Sequence, residues 1–470
     1  MIDFSGTYTD QYQLTMGQVY FQKGEAEKTA VFDYFFRKLP FDGGFAVFAG
    51  LDTLLDILEN FRFSKEDIKY LKTLDLNKDY LDFLKDFRFR GKVYSMREGE
   101  LVFPGEPVVR VEANIIEAQI VETLLLNILN FQTLIATKAT RMEIQAKGRM
   151  LIDFGLRRAQ GIGGYHASRA AMVGGFDATS NTRSGRDFGF AVSGTMAHSF
   201  IQSYEEELEA FRDFAKAHPN NSILLVDTYN TLKSGVPNAI TVGKEMESRG
   251  EKLKGIRLDS GDLAYLSRRS REMLDEAGLD YVKIAVSNQL DEHLIKSLID
   301  QEAPIDVFGV GTSLVTGKPD AALDGVYKLA HFKDQPRIKL SETISKITLP
   351  HRKQVYRLLD ESGNFLGADV ICLLDEQDPK MMFHPYDRLK YQDISAVNKE
   401  KLLELVMEDQ KRTRKRKSVE DISNFRRERL QKLPPEFKRF SYPHIYKVGL
   451  SEDLRDERNT LIDAHKEKKS

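Results

Sequence analysis

Cysteine is almost absent from this 470-residue chain: its single copy, Cys372, excludes an internal disulfide framework and any zinc or iron–sulfur site built on several thiolates. Long apolar runs are missing too, and no stretch approaches the roughly 20 residues that cross a bilayer. The opening MIDFSGTYTDQY carries acidic and polar residues where an export signal needs a basic start and an apolar stretch. Together with the lone cysteine, this predicts a reducing, cytoplasmic setting and no membrane partner. Neither charge is in excess: 69 Lys and Arg against 71 Asp and Glu leave a formal net charge of −2, so no global positive field draws in nucleic acid. A small anionic substrate has to be held by local groups. No internal repeat at solenoid or propeller periods and no low-complexity tract is present.

What is there is an ordinary globular balance, 41% apolar and 30% charged, in a chain too long for a single hydrophobic core; two or more units are expected. From about residue 149 to 312 a short apolar run followed by a helical pattern recurs. The runs are RMLIDFG (149 to 155), FGFAVSG (188 to 194), SILLVDT (222 to 228), KGIRLDS (254 to 260), YVKIAVS (281 to 287) and IDVFGVG (305 to 311), with GFDATSN (175 to 181) as a short seventh. Helical spacing fills the gaps, as in AHSFIQSYEEELEAFRDFAKAH and GDLAYLSRRSREMLDEAG. Aliphatic strands alternating with helices predict a parallel sheet covered by helices. Six clear strands fall short of the eight of a regular barrel, and periodicity leaves an irregular barrel and an open sheet both open; most strands finish on a polar residue or glycine (Asp153, Asp227, Asp259, Ser287, Gly309), an arrangement that favours the barrel although open sheets share it.

Before this core, RGKVYSMREGELVFPGEPVVRVEA alternates like a small antiparallel sheet, and IIEAQIVETLLLNILNFQTLIATKATRM reads as one deeply buried helix. Beyond 325, VYKLA, RIKLS and KQVYRLLD look like strands returning to the N-terminal sheet. The tail from about 395 is charged and expected to be mostly helical. Its run KRTRKRK (411 to 417) lies near Glu404, Glu408, Asp409, Glu420 and Asp421, which favours a solvated helix face laced with ion pairs over a polyanion site.

Four stretches carry chemistry. DVFGVGTSLVTG (306 to 317) runs a strand into glycines and small hydroxyls, where successive N–H groups with Thr312 and Ser313 can cradle phosphate; tight-turn glycines are the plain alternative. In GIRLDSGDLAYL (255 to 266), Arg257 lies inside a buried-looking strand and so must meet a carboxylate or a polar cavity. Asp259 at the strand tip suits ribose hydroxyls or magnesium, whereas Asp262 reads as a helix N-cap. LIDFGLRRAQGIGGYHASRAA (151 to 171) sets Phe154 beside Arg157 and Arg158, a ring to stack on and guanidinium groups for a planar anion. Its glycines form no dinucleotide fingerprint, and His166 reads as a capping or packing histidine. GTMAHSFIQSYEEELEAF (194 to 211) places His198 where a strand meets a helix start, fitting a cap, a core residue or a nucleophile near phosphate.

Taken together, TDQYQLTM (9 to 16), FPGEPVVRVEANIIEAQIVET, LIDFGLRRAQG, GTMAHSF, RLDSGDL, VSNQLDE, FGVGTSLVTG, KITLPHRKQVYR and PPEFKRFSYPHIYKVGLSEDL resemble the nicotinate phosphoribosyltransferase family over nearly the whole chain. The resemblance implies an irregular α/β barrel of the type II phosphoribosyltransferase kind plus an α/β sandwich domain built from both chain ends. The expected segments are 1–115 (N-terminal part of the sandwich), 116–325 (catalytic barrel), 326–395 (return strands) and 396–470 (charged helical extension). It implies transfer of a phosphoribosyl group from 5-phosphoribosyl 1-pyrophosphate (PRPP) to nicotinate in salvage towards NAD, with Mg2+, ATP as co-substrate, and a homodimer with shared active sites. Residue by residue, it places Tyr12 of the partner subunit opposite Phe154 across the pyridine ring, and Thr195 and Arg257 near the nicotinate. Gly309, Gly311 and Thr312 fall in the 5′-phosphate loop, with Arg157 nearby and Asp259 close to ribose and magnesium. His198 matches the histidine that ATP phosphorylates. Family members often carry glycine after the proline of a late PG-x-K stretch; this chain has Pro350-His351-Arg352-Lys353. The competing readings are a nicotinamide-specific transferase, a non-catalytic pyridine-binding homologue, and a barrel aldolase or isomerase, the last disfavoured because Lys254 and Lys283 lie within strands rather than at their tips.

Overall fold

Residues 4–467 are described by a computed structural model. Two units make up the chain, Ile135–Ala321 and Met1–Leu134 with Ala322–Ser470. No helix among the described residues is long and apolar enough to cross a membrane.

The strands of the Ile135–Ala321 unit are numbered here within that unit: β1 Met150–Asp153, β2 Ala178–Thr179, β3 Ile223–Leu225, β4 Gly255–Leu258, β5 Lys283–Ser287 and β6 Val307–Val310. They form one sheet in the order β2-β1-β6-β5-β4-β3, every neighbouring pair parallel. Continuous aliphatic runs such as ILL and KIAVS suit strands covered on both faces, and Leu224, Leu225, Ile256, Leu258, Ile284, Val286, Phe308 and Val310 are all buried. Asp262 caps the helix Leu263–Glu276 by accepting from the Tyr265 N–H at 3.0 Å, as its position predicts.

Two expectations fail in this unit. Residues 188–194, read as a strand, do not form one: Phe188 ends the helix Thr182–Phe188, and 189–194 form a loop with one isolated bridge between Thr179 and Val192, four of these six being glycine, serine or alanine. The long helix expected after 198 divides into His198–Gln202 and Glu207–Ala217, broken where four consecutive residues, Ser203 to Glu206, leave the helical register.

The register fixes where strand tips end. Arg257 pairs with Leu225 on one side and Ala285 on the other; Ser287 pairs with Gly309, and Gly309 with Ile152. Two residues on from Leu225 and Arg257 come Asp227 and Asp259, so Asp227, Asp259, Ser287 and Gly309 stand at one level of the carboxyl edge. A cavity of about 610 Å³ runs along one face of this sheet, with Ile152, Phe154, Arg257, Ala285, Val307 and Gly309 in its wall.

The second unit contains two large sheets and a two-stranded one, Ala46–Val47 with Leu101–Val102. One is antiparallel throughout: Gln335–Pro336, Gly325–Phe332, Thr29–Phe36, Val109–Asn114, Lys92–Ser95, Glu404–Glu408 and Lys411–Arg412. The VYKLA strand thus returns to the N-terminal sheet, whereas Lys353–Leu359 joins a second, mixed sheet with Phe365–Leu373 and Lys447–Leu450. RIKLS (337 to 341) is irregular rather than a strand. The buried helix expected from 115 divides at Val121 into Ile115–Ile120 and Glu122–Ala146. The tail is not mostly helical: the strands Asn398–Lys401, Glu404–Glu408, Lys411–Arg412 and Lys447–Leu450 precede or separate the helices Val419–Lys432 and Glu452–Glu467.

Charged residues in the tail are absorbed by packing rather than by a helix face. The basic run does pair with acids, but from a strand end and loop: Arg412 meets Asp52 at 2.7 Å, Arg416 meets Asp56 at 3.2 Å, and Arg414 meets Glu404. Arg357, fully buried, holds Asp369 at 2.8 Å together with Glu100, and its burial is compensated by these two carboxylates. At the departure from the family pattern, His351 has φ 64, the left-handed region where glycine is at ease; its Nε2 lies 3.0 Å from Glu457 and its N–H donates to the Ala330 carbonyl at 2.8 Å. These contacts hold a non-glycine residue in that turn.

Candidate active site

Arg257 projects from β4 and each of its three nitrogens meets a partner. Nε donates to Ser287 Oγ at 2.9 Å, Nη1 to Thr195 Oγ1 at 3.0 Å, and Nη2 lies 3.2 Å from Asp259 Oδ1. The guanidinium carbon stands 5.4 Å from the centre of the Phe154 ring. The expectation that a strand arginine must find a carboxylate is met by Asp259. Phe154 itself is seated on glycine: a Cβ at position 309 would stand 2.4 Å from its Cε2, so only glycine leaves room for the ring.

His198 opens the helix His198–Gln202. Its Nδ1 lies 3.0 Å from Thr228 Oγ1 and its Nε2 3.8 Å from Asp259 Oδ2. The nearby carboxylate favours the ring proton on Nε2, which leaves the Nδ1 lone pair to accept from the Thr228 hydroxyl. Asp259 is in turn fixed from below: its N–H donates to Asp227 Oδ2 at 2.7 Å, which also accepts from Ser260 Oγ at 2.7 Å. The other oxygen, Asp227 Oδ1, is buried with no hydrogen-bond partner.

Gly309 is the last residue but one of β6, Gly311 caps the short helix Thr312–Val315, and Thr312 is exposed at its start. Arg157 is exposed on the turn Leu156–Arg158. The Phe154, Thr195, His198, Arg257, Asp259 and Gly309 positions are thus joined through a short chain of contacts. Tyr12 belongs to the other unit, half exposed in the first turn of Gln11–Gln22, where burial and the carboxylates of Glu122 and Asp10 raise its phenol.

Not every polar strand tip serves this cluster. Asp153 is fully buried and accepts from Ser168 Oγ at 2.7 Å, Thr179 Oγ1 at 2.8 Å and the Gly155 N–H at 2.8 Å, which pins the following turn. Burial raises its carboxyl above the usual range. His166 has its imidazole held down to about 4 by burial and then by Arg169, in keeping with a packing role. The sequence marked Asp227 and Ser287 only as polar tips, and gave no sign of Thr228. The signal for the first two was their shared offset with Asp259 after an aliphatic run.

Comparison with known proteins identifies the family. The nicotinate phosphoribosyltransferase N-terminal domain matches residues 7–130, the family's central region 150–361 and its C-terminal domain 352–458. A nicotinate phosphoribosyltransferase of Bacillus subtilis is 45% identical over 461 residues, covering 96% of this chain and 94% of the relative. One from Dictyostelium discoideum is 37% identical, covering 96% and 87%. The crystal structure of human nicotinic acid phosphoribosyltransferase superimposes with a TM-score of 0.87 at 30% identity, covering 96% of this chain and 99% of that one. A nicotinate-nucleotide pyrophosphorylase from Pyrococcus furiosus shares the fold, with a TM-score of 0.71 at 24% identity. With family matches along most of the chain, near-full coverage of the relatives and fold in agreement, this chain belongs to the nicotinate phosphoribosyltransferase family of enzymes.

Proposed function

We propose that this enzyme joins nicotinate to PRPP, giving nicotinate mononucleotide and pyrophosphate in salvage towards NAD, with ATP hydrolysis coupled through a phosphorylated His198. The observation that carries the reading is Arg257, its guanidinium held at three nitrogens while standing 5.4 Å from the Phe154 ring. A flat anion fits there: the pyridine lies on Phe154 and its carboxylate meets Arg257. Thr195 borders the ring, and Tyr12 of the partner subunit closes its other face. Gly309, Gly311 and Thr312 offer backbone N–H groups to the 5′-phosphate, with Arg157 at the mouth.

The reacting pyridine nitrogen already carries a lone pair, so no general base is needed. Catalysis is then mostly alignment of that nitrogen with the sugar carbon and stabilisation of an oxocarbenium-like sugar by Asp259. Magnesium fits the donors present. Asp227 has a buried carboxylate oxygen without a partner and lies beside Asp259, while no group of three or more His, Cys, Asp or Glu among the described residues forms a cage. One or two carboxylates sharing the ion with substrate phosphates is the ordinary arrangement for magnesium, which would offset pyrophosphate charge. His198 would take the γ-phosphoryl group of ATP at Nδ1, releasing ADP.

The parallel sheet is read as the wall of an irregular α/β barrel, and the unit built from both chain ends as the sandwich domain, in a cytoplasmic homodimer. Pyrophosphate release is measured with PRPP, magnesium and ATP, adding nicotinate or nicotinamide at equal concentration. Release with nicotinate alone supports the reading. Preference for nicotinamide moves it to the neighbouring activity, and no release with either points to a binding protein.

A further inference from the structure

Ser287 sits between the two charged groups on which the proposed substrate contacts depend, and its hydroxyl has one proton to give. A guanidinium is a donor only, so Ser287 Oγ must accept from Arg257 Nε at 2.9 Å. That commits its single proton to Asp259 Oδ1, with which it makes a short contact. The third side of the triangle is Arg257 Nη2 to Asp259 Oδ1 at 3.2 Å. Ser287 is 3% exposed, which leaves no room for solvent to substitute for the hydroxyl.

The triangle blocks an alternative. Arginine and a neighbouring carboxylate prefer a two-pronged fork through Nε and Nη. Here Nε is taken by Ser287, so Asp259 holds Arg257 by one nitrogen, and the guanidinium keeps its position beside Phe154. Without the hydroxyl, Arg257 Nε turns to Asp259 Oδ1, and the guanidinium is drawn away from Phe154 into a closed pair while Asp259 stays anchored through its own N–H to Asp227.

We propose that Ser287 is a positioning residue that keeps Arg257 and Asp259 from closing on each other, and so sets the preference for a carboxylate-bearing pyridine over its uncharged amide. This rests on the nicotinate reading above, and the wild-type assay tests that reading first: without nicotinate-dependent pyrophosphate release in the wild type, the function itself falls.

Given an active wild type, Ser287→Ala is expected to raise the KM for nicotinate about tenfold, with kcat within about threefold, as suits loss of a hydrogen bond to a charged group. The ratio of kcat/KM for nicotinate over nicotinamide falls by a similar factor. Ser287→Cys, nearly the same size but a poor hydrogen-bonding group, gives the same rise and serves if the alanine variant melts early. Ser287→Thr keeps the hydroxyl and stays within about threefold of wild type. An unchanged nicotinate KM in both Ala and Cys variants, a loss confined to kcat, or a Thr variant as impaired as Ala would overturn the proposal while leaving the function standing.

Discussion

Phe154 rests directly on Gly309, close enough that a Cβ at 309 would fall 2.4 Å from Cε2 and 2.5 Å from Cδ2 of the ring. Gly309→Ala must therefore push the ring towards the space assigned to the pyridine. Overpacking of this kind costs about 1–3 kcal/mol. The expected result is a nicotinate KM raised at least about tenfold with a smaller loss of melting temperature; steady-state kinetics and thermal unfolding on one preparation check it, and an unaltered KM would contradict it.

Arg257 distributes its nitrogens over Ser287, Thr195 and Asp259, a fan that a single ammonium cannot copy. Arg257→Lys should lower kcat/KM for nicotinate by about 100-fold or more despite keeping the charge, in line with loss of a bidentate ion contact. Retention of activity within tenfold would show that charge alone suffices.

His198 is 3.0 Å from Thr228 and 3.8 Å from Asp259 but bonds to no structural carbonyl or core group among the contacts described. His198→Ala should therefore leave basal transfer measurable while removing both the stimulation by ATP and acid-labile phosphate incorporated from γ-labelled ATP. Stimulation equal to wild type would refute a phosphohistidine at this position.

His166 supplies a pH dependence of stability. Its pKa is held down to about 4 in the fold against 6.5 for the free side chain. Between those values the unfolded chain takes up a proton that the folded chain refuses. The contribution is thus complete above about pH 6.5 and is lost as pH falls towards 4, with a ceiling of about 3 kcal/mol. Denaturant midpoints at pH 7.5 and 5 should differ less in His166→Gln than in wild type; equal differences would exclude this histidine as the source.

Much of the central sheet was readable because buried parallel strands need uninterrupted aliphatic runs, as in ILL and KIAVS, bounded by polar tips. FGFAVSG misled by the same rule: it has the apolar content of a strand, but its small residues form a loop that only bridges Thr179 at Val192. The tail misled differently, since charge density suggested helix while Glu404 is held across strands by Ser95 and Arg97 and Arg412 by Asp52, all far away in sequence. Arg257 and Asp259 were legible because a strand arginine demands a counter-charge. Thr228 and the bridging role of Ser287 were not, because a hydroxyl signals nothing until the register sets it beside its partners.

Asp227, Asp259, Ser287 and Gly309 meet because four strands end at the same height. A shift of one residue in any of these strands would turn its tip to the opposite side of the sheet. Turnover therefore samples strand alignment itself: a molecule whose sheet has slipped anywhere along this edge has no partial version of the cluster to fall back on.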